Sequence, residues 1–149
     1  MPKTRKNRKT NSKKPTTNLY SLNNVIKTFL QMLNTIKLYH WKTFSYAEHK
    51  ATDDLHAKLS ESIDTFVEVL LGKMSDTKMN DIRFGIDTIV TKDFRNHSDL
   101  KIGMNHYKQY LIDMTHSSLN TQANSDLMNI RDEILGHINQ FMYLLTLSK

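Results

Sequence analysis

The stretch His49-Lys-Ala-Thr-Asp53, continued through Asp64-Thr-Phe-Val-Glu68, decides how this chain is read. Turned at about 100° per residue, Leu55, Leu59, Ile63, Phe66 and Leu70 fall in one apolar stripe. The segment therefore predicts an amphipathic helix that must bury that stripe against other helices. His49, Asp53, Asp64 and Glu68 fall on an adjacent face, as two pairs spaced i, i+4, and each pair can converge on one point. The pairs cannot meet each other, because the helix rises about 16 Å between Asp53 and Asp64 at roughly 1.5 Å per residue. A second copy, antiparallel across a two-fold axis, would set His49 and Asp53 of one chain against Asp64 and Glu68 of the other, twice per dimer. Ala57 and Ser60 lie between the pairs and let two backbones approach. The spacing thus predicts a homodimer with two shared metal sites. The same pattern also fits a solvated polar face, since Glu48, Lys50, Asp54, Lys58 and Glu61 place ordinary surface charge on this helix.

Working outward, the same periodicity recurs. Leu22, Ile26, Phe29, Leu33, Ile36 and His40 predict a first helix, capped by Asn18 or Ser21. His40 closes its inward stripe and reads either as a satisfied core residue or as a third ligand aimed at the next helix. Thr43–Ala47 is a short turn, so the first two helices should lie antiparallel. The second helix should run from about Glu48 to Leu71, with Gly72 as C-cap. Residues 73–97, where Ile82, Phe84, Ile86, Thr88 and Val90 alternate, read as an extended crossing or a short strand. Leu100, Met104, Tyr107, Leu111 and Met114 predict a third helix capped by Ser98 or Asp99. Asn120–Ser125 reads as a polar loop, and Leu127, Ile130, Ile134, Ile138, Phe141 and Leu145 as a fourth helix. The expected architecture is all-α, a four-helix bundle over residues 19–149 with a long middle connection.

Composition narrows the chemistry. The 149 residues hold no cysteine, so disulfides, thiolate metal sites and thiol catalysis are excluded. No apolar run reaches the length of a membrane span, and the basic N-terminus lacks the apolar core of a secretory signal. Residues 1–14 carry Lys3, Arg5, Lys6, Arg8, Lys9, Lys13 and Lys14, and no acid precedes Glu48. Residues 1–18 have almost nothing to bury and read as a disordered tail. Such a tail suits sequence-independent contact with nucleic-acid phosphates, although a solubilising tail or a localisation signal would look the same. No Glu-x-x-His motif occurs, which argues against a di-iron site inside one bundle. His106, His116 and His137 read as core or surface residues. No phosphate-binding loop, nucleophile elbow or zinc-finger spacing is present.

His40-Trp41, His49-x3-Asp53 and Asp64-x3-Glu68 together resemble the ferroxidase signature of the Dps proteins, in the ferritin-like superfamily. The match covers about residues 39–72, and the His40-to-His49 interval is shorter than is usual there. The whole chain is also similar to uncharacterised Dps-related proteins of phages and large DNA viruses, notably at Asn129-Ile-Arg-Asp-Glu-Ile-Leu-Gly136. The resemblance implies a ferritin-like bundle assembling by two-fold contacts into a hollow, dodecameric shell that oxidises Fe(II) with peroxide or oxygen and stores ferric mineral. Non-haem iron, one or two ions per interface site, would be held by His40, His49 and Asp53 of one subunit and Asp64 and Glu68 of its partner. Glu68 could bridge two ions while Asp53 and Asp64 anchor one each, and hard carboxylates favour the ferric product. DNA would be a partner through the lysine-rich tail, with a cytoplasmic, nucleoid or virion location. The alternative is a nucleic-acid-packaging or virion-associated structural protein that keeps the scaffold with an inactive metal site.

Overall fold

A computed structural model of the chain describes residues 19–74 and 85–147. Residues 1–18, including every cation assigned to the tail, and residues 75–84 of the middle connection lie outside that range. Among the described residues the protein is all-helical, a helical bundle with no strand. Four long helices make it up: α1 (Leu22–Lys42), α2 (Tyr46–Gly72), α3 (His97–Asp113) and α4 (Ser125–Leu145). Single 3-10 turns, Met114–His116 and Gln122–Asn124, lie between α3 and α4.

Most of the apolar stripes read from the sequence are the core, although Leu22 and Leu33 of α1 and Ile130 of α4 are only half-buried and Met32 takes a core place that the stripe did not assign. Phe29, Met32 and Ile36 of α1, Leu59 and Phe66 of α2, Leu100, Met104 and Leu111 of α3, and Leu127, Ile134, Ile138 and Phe141 of α4 are buried. Phe29 and Phe66 meet edge to face at 5.1 Å and lock α1 to α2. Helix α2 packs on both α1 and α4, and α3 packs on α4.

End-to-end contacts give the directions. His40, at the end of α1, touches His49, near the start of α2, so these helices are antiparallel. His97, at the start of α3, bonds Glu48, also near the start of α2, so α2 and α3 run the same way. Lys73, just past α2, pairs with Asp126 at the start of α4, which therefore returns. The order is up, down, down, up, and the long connection carries the chain back along the bundle between the two downward helices.

In that connection Gly85 is helical and residues 86–96 are irregular, with no strand among them; Ile82 and Phe84 of the expected alternation lie outside the described residues. The irregular segment is pinned along α1. The Gln31 amide donates to the Val90 carbonyl, the Lys92 amide donates to Thr35 Oγ1 at 3.1 Å, and Lys42 pairs with Asp93. Phe94 then buries its ring over Gly103, where a Cβ would stand 1.8 Å from the ring's Cζ. Only a residue without a side chain fits beneath that ring.

Two boundaries differ from expectation. Helix α2 starts at Tyr46 because Ser45 caps it, accepting from the Glu48 amide at 3.3 Å. Helix α3 is capped by Asn96 rather than Ser98 or Asp99. Asn96 Oδ1 accepts from the Asp99 amide at 2.9 Å, and Asp99 Oδ2 accepts in return from the Arg95 amide at 3.1 Å. This is close to a cap of the Ser-x-x-Glu type, except that Asp99 reaches back to the amide of the residue before the cap.

Candidate metal centre

The turn between α1 and α2 brings His40 and His49 face to face, their ring centroids 3.9 Å apart and their planes at 23°. Each imidazole Nδ1 lies 3.0 Å from the other residue's backbone carbonyl oxygen. A carbonyl can only accept, so each Nδ1 carries the proton and donates it. In the neutral ring this leaves both Nε2 atoms with a free lone pair, the arrangement that fixes a metal-binding tautomer. His40 is buried, and its Nε2 stands 3.8 Å from Asp53 Oδ1. That gap is too long for a hydrogen bond. It is within reach of a shared ion, since two donors at about 2.1 Å each can stand up to about 4.2 Å apart. His40 thus stacks on His49 and lies near Asp53 while remaining a buried residue.

Lys37 Nζ lies 3.6 Å from the same Asp53 oxygen and holds a cation beside the carboxylate. His56 belongs to this neighbourhood too, one helical turn beyond Asp53 and half-buried. Burial, and then the Lys37 ammonium, hold its imidazole below the ordinary range; Asp53 pulls the other way and His40 adds to the lowering. The sequence signal for His56 was available, since it shares the helix face of His49 and Asp53.

Asp64 and Glu68 are exposed on the same face of α2, further along the helix. Among the described residues, no three His, Asp or Glu side chains gather closely enough to hold an ion. The chain therefore carries two separated half-sets: imidazoles with Asp53 at one end of the α1–α2 face, and the pair Asp64 and Glu68 at the other. His106 and His116 are exposed, and half-buried His137 lies 3.6 Å from Glu133.

Glu48 corrects the sequence reading. It is buried, not a surface charge. It accepts from Tyr39 Oη at 2.6 Å, Thr43 Oγ1 at 2.9 Å and His97 Nδ1 at 2.7 Å. Burial alone would raise its carboxyl pKa, but these donors outweigh it and hold the group below the ordinary carboxylate range. The same contact, after burial, pushes the Tyr39 hydroxyl well above its usual value. One residue before His49, this carboxylate ties α1, the turn and α3 into the corner that carries the imidazole pair. Thr52 Oγ1, donating to the Glu48 carbonyl at 2.7 Å, braces it from below.

Residues 40–145 match the model of DUF5856, a family of unknown function. No curated protein and no solved structure matches the chain. Among the described residues, no helix is long and apolar enough to cross a membrane.

Proposed function

The chain belongs to this family of unknown function, DUF5856, and we propose that it is a Dps-like protein that binds and oxidises Fe(II) at sites shared across a two-fold dimer. The observation that carries this reading is the imidazole pair. Two stacked histidines have their Nδ1 protons committed to backbone carbonyls, which leaves both Nε2 lone pairs free, that of His40 3.8 Å from Asp53. Nitrogen with hard carboxylate oxygen suits iron, and the carboxylates favour the ferric product. The donor set fits the ion but is incomplete in one chain, and Asp64 with Glu68 supply what it lacks once a second copy is laid antiparallel.

The bundle's up, down, down, up order with one long connection is that of ferritin-like folds, and supports the scaffold as well. In this reading Fe(II) is the substrate. His40, His49 and Asp53 bind it from one subunit, and Asp64 and Glu68 from the partner. Two Fe(II) each give one electron to one peroxide, whose O–O bond breaks and which takes up two protons to leave as two waters. The Glu48 corner keeps both imidazoles oriented between turnovers. Seven cations within residues 1–14 would hold the assembly on DNA through phosphates, and a shell of dimers would store the product.

Complementation tests the sharing. His49→Ala and Asp64→Ala should each abolish rapid Fe(II) oxidation alone, and mixing the two variants should restore it. In a mixed dimer one interface site carries both lesions and the other carries neither. No recovery after verified exchange of subunits would contradict a shared site.

A further inference from the structure

The α1–α2 face that carries the two half-sets also carries a protruding ring at one end and an apolar groove at the other. Ile26, Leu30, Leu33, Lys37 and Trp41 form one ridge of α1, spaced by three and four residues. Beside the imidazole end, Trp41 is 69% exposed, a large cost for the chain's single tryptophan. At the other end a groove of about 420 Å³ opens between the helices, lined by Ile26, Leu30, Leu33, Ile63 and Val67, with Asp64 at its edge.

Resting on the proposed shared site, we propose that this groove is filled by Trp41 of a second copy of the same chain. The two-fold that sets His49 and Asp53 against Asp64 and Glu68 passes near Ala57 and Ser60. It stacks α1 on α1 and α2 on α2, each pair antiparallel. The ridge from Lys37 to Trp41 then lies level with Asp64 to Val67 of the other copy, where the groove is. Knob and groove sit on opposite sides of the axis, as a self-complementary contact requires. Charge agrees. Lys37 Nζ lies 5.9 Å from the Trp41 ring centroid and would travel with it, while Glu61 and Asp64 edge the groove. Two buried indoles would supply about 300–500 Å² of contact, roughly a quarter of a standard interface. Each indole would also cover the iron-binding residues beside it.

Because Trp41 is the only tryptophan, its emission reports this contact alone. The full-length protein would be followed by sedimentation, tryptophan emission and acrylamide quenching across a dilution series, with Fe(II) binding measured on the same samples. The expected result is a dimer with blue-shifted emission and a quenching constant several-fold below that of free indole. Both signals should be lost in Leu30→Glu, with the helical circular dichroism unchanged. A dimer whose Trp41 is quenched as freely as indole, with Fe(II) still bound, would overturn the knob and leave the shared site standing. A monomer at every concentration would overturn both.

Discussion

Glu48 offers the sharpest test of the corner that holds the imidazole pair. Glu48→Ala would strip three donors of their acceptor at once. Tyr39 is buried, so its hydroxyl would lose its partner without access to water, a cost of about 1–3 kcal/mol. Thr43 is partly exposed and the His97 side chain is 45% exposed, so water replaces much of what they lose, and about 1 kcal/mol more is expected from the pair. The total is about 2–4 kcal/mol, a fall in Tm of roughly 6–15 °C for a domain of this size. Glu48→Gln keeps the shape and one acceptor oxygen and should cost about half as much. Thermal unfolding followed by circular dichroism at pH 7 reads both. The sign of the pH dependence follows from the depressed folded pKa: the stability that Glu48 supplies is present above its unfolded value near 4.5 and is lost as pH falls through the lower folded value. Glu48→Gln should therefore flatten the acid limb of the wild-type stability profile. A loss below about 0.5 kcal/mol for Glu48→Ala, with an unchanged acid limb, would refute the reasoning and mean a solvated carboxylate.

Three further outcomes are expected. Gly103→Ala should destabilise by about 1–3 kcal/mol because its Cβ enters the Phe94 ring, whereas in a Phe94→Ala background it should be neutral or stabilising, since alanine is the better helix former; additive costs in the double-mutant cycle would contradict the contact. Deleting residues 1–14 should remove most DNA binding at low salt in a mobility-shift titration, and binding that survives places the contact on the bundle. His40→Ala should weaken Fe(II) binding at the half-site and release the His49 ring, which loses its stacking partner but keeps the backbone carbonyl it donates to; an unchanged titration would leave His40 a buried residue and no ligand.

The helices and their buried faces were legible in the sequence because periodicity carries burial directly: the stripes of α2 and α3 are the observed core without exception. That His49 and Asp53 share a face of α2 was equally legible, because i, i+4 spacing fixes this on any helix. His40 was not decided, since its helix face admitted core or ligand and only the three-residue turn at Thr43–Ser45 sets its ring against His49. Glu48 was misread for a related reason. Its three partners come from α1, the turn and α3, and the contact to His97 spans 49 positions, which no local pattern encodes. A local clue did exist: Ser45-x-x-Glu48 has the form of a capping box, which moves the helix start back to Tyr46. The Asn96 cap was missed because two other capping residue types, Ser98 and Asp99, follow it within three positions.

The central claim is that the imidazole pair and the acidic pair make a working iron site only together. An anaerobic Fe(II) titration of the full-length protein, followed by rapid mixing with peroxide, tests it most directly. The account predicts saturable binding of one to two irons per interface site, with ferric product forming far faster than in buffer and not at all rapidly in Asp64→Ala. Binding that fails to saturate, or oxidation in Asp64→Ala as fast as in the wild type, would contradict it.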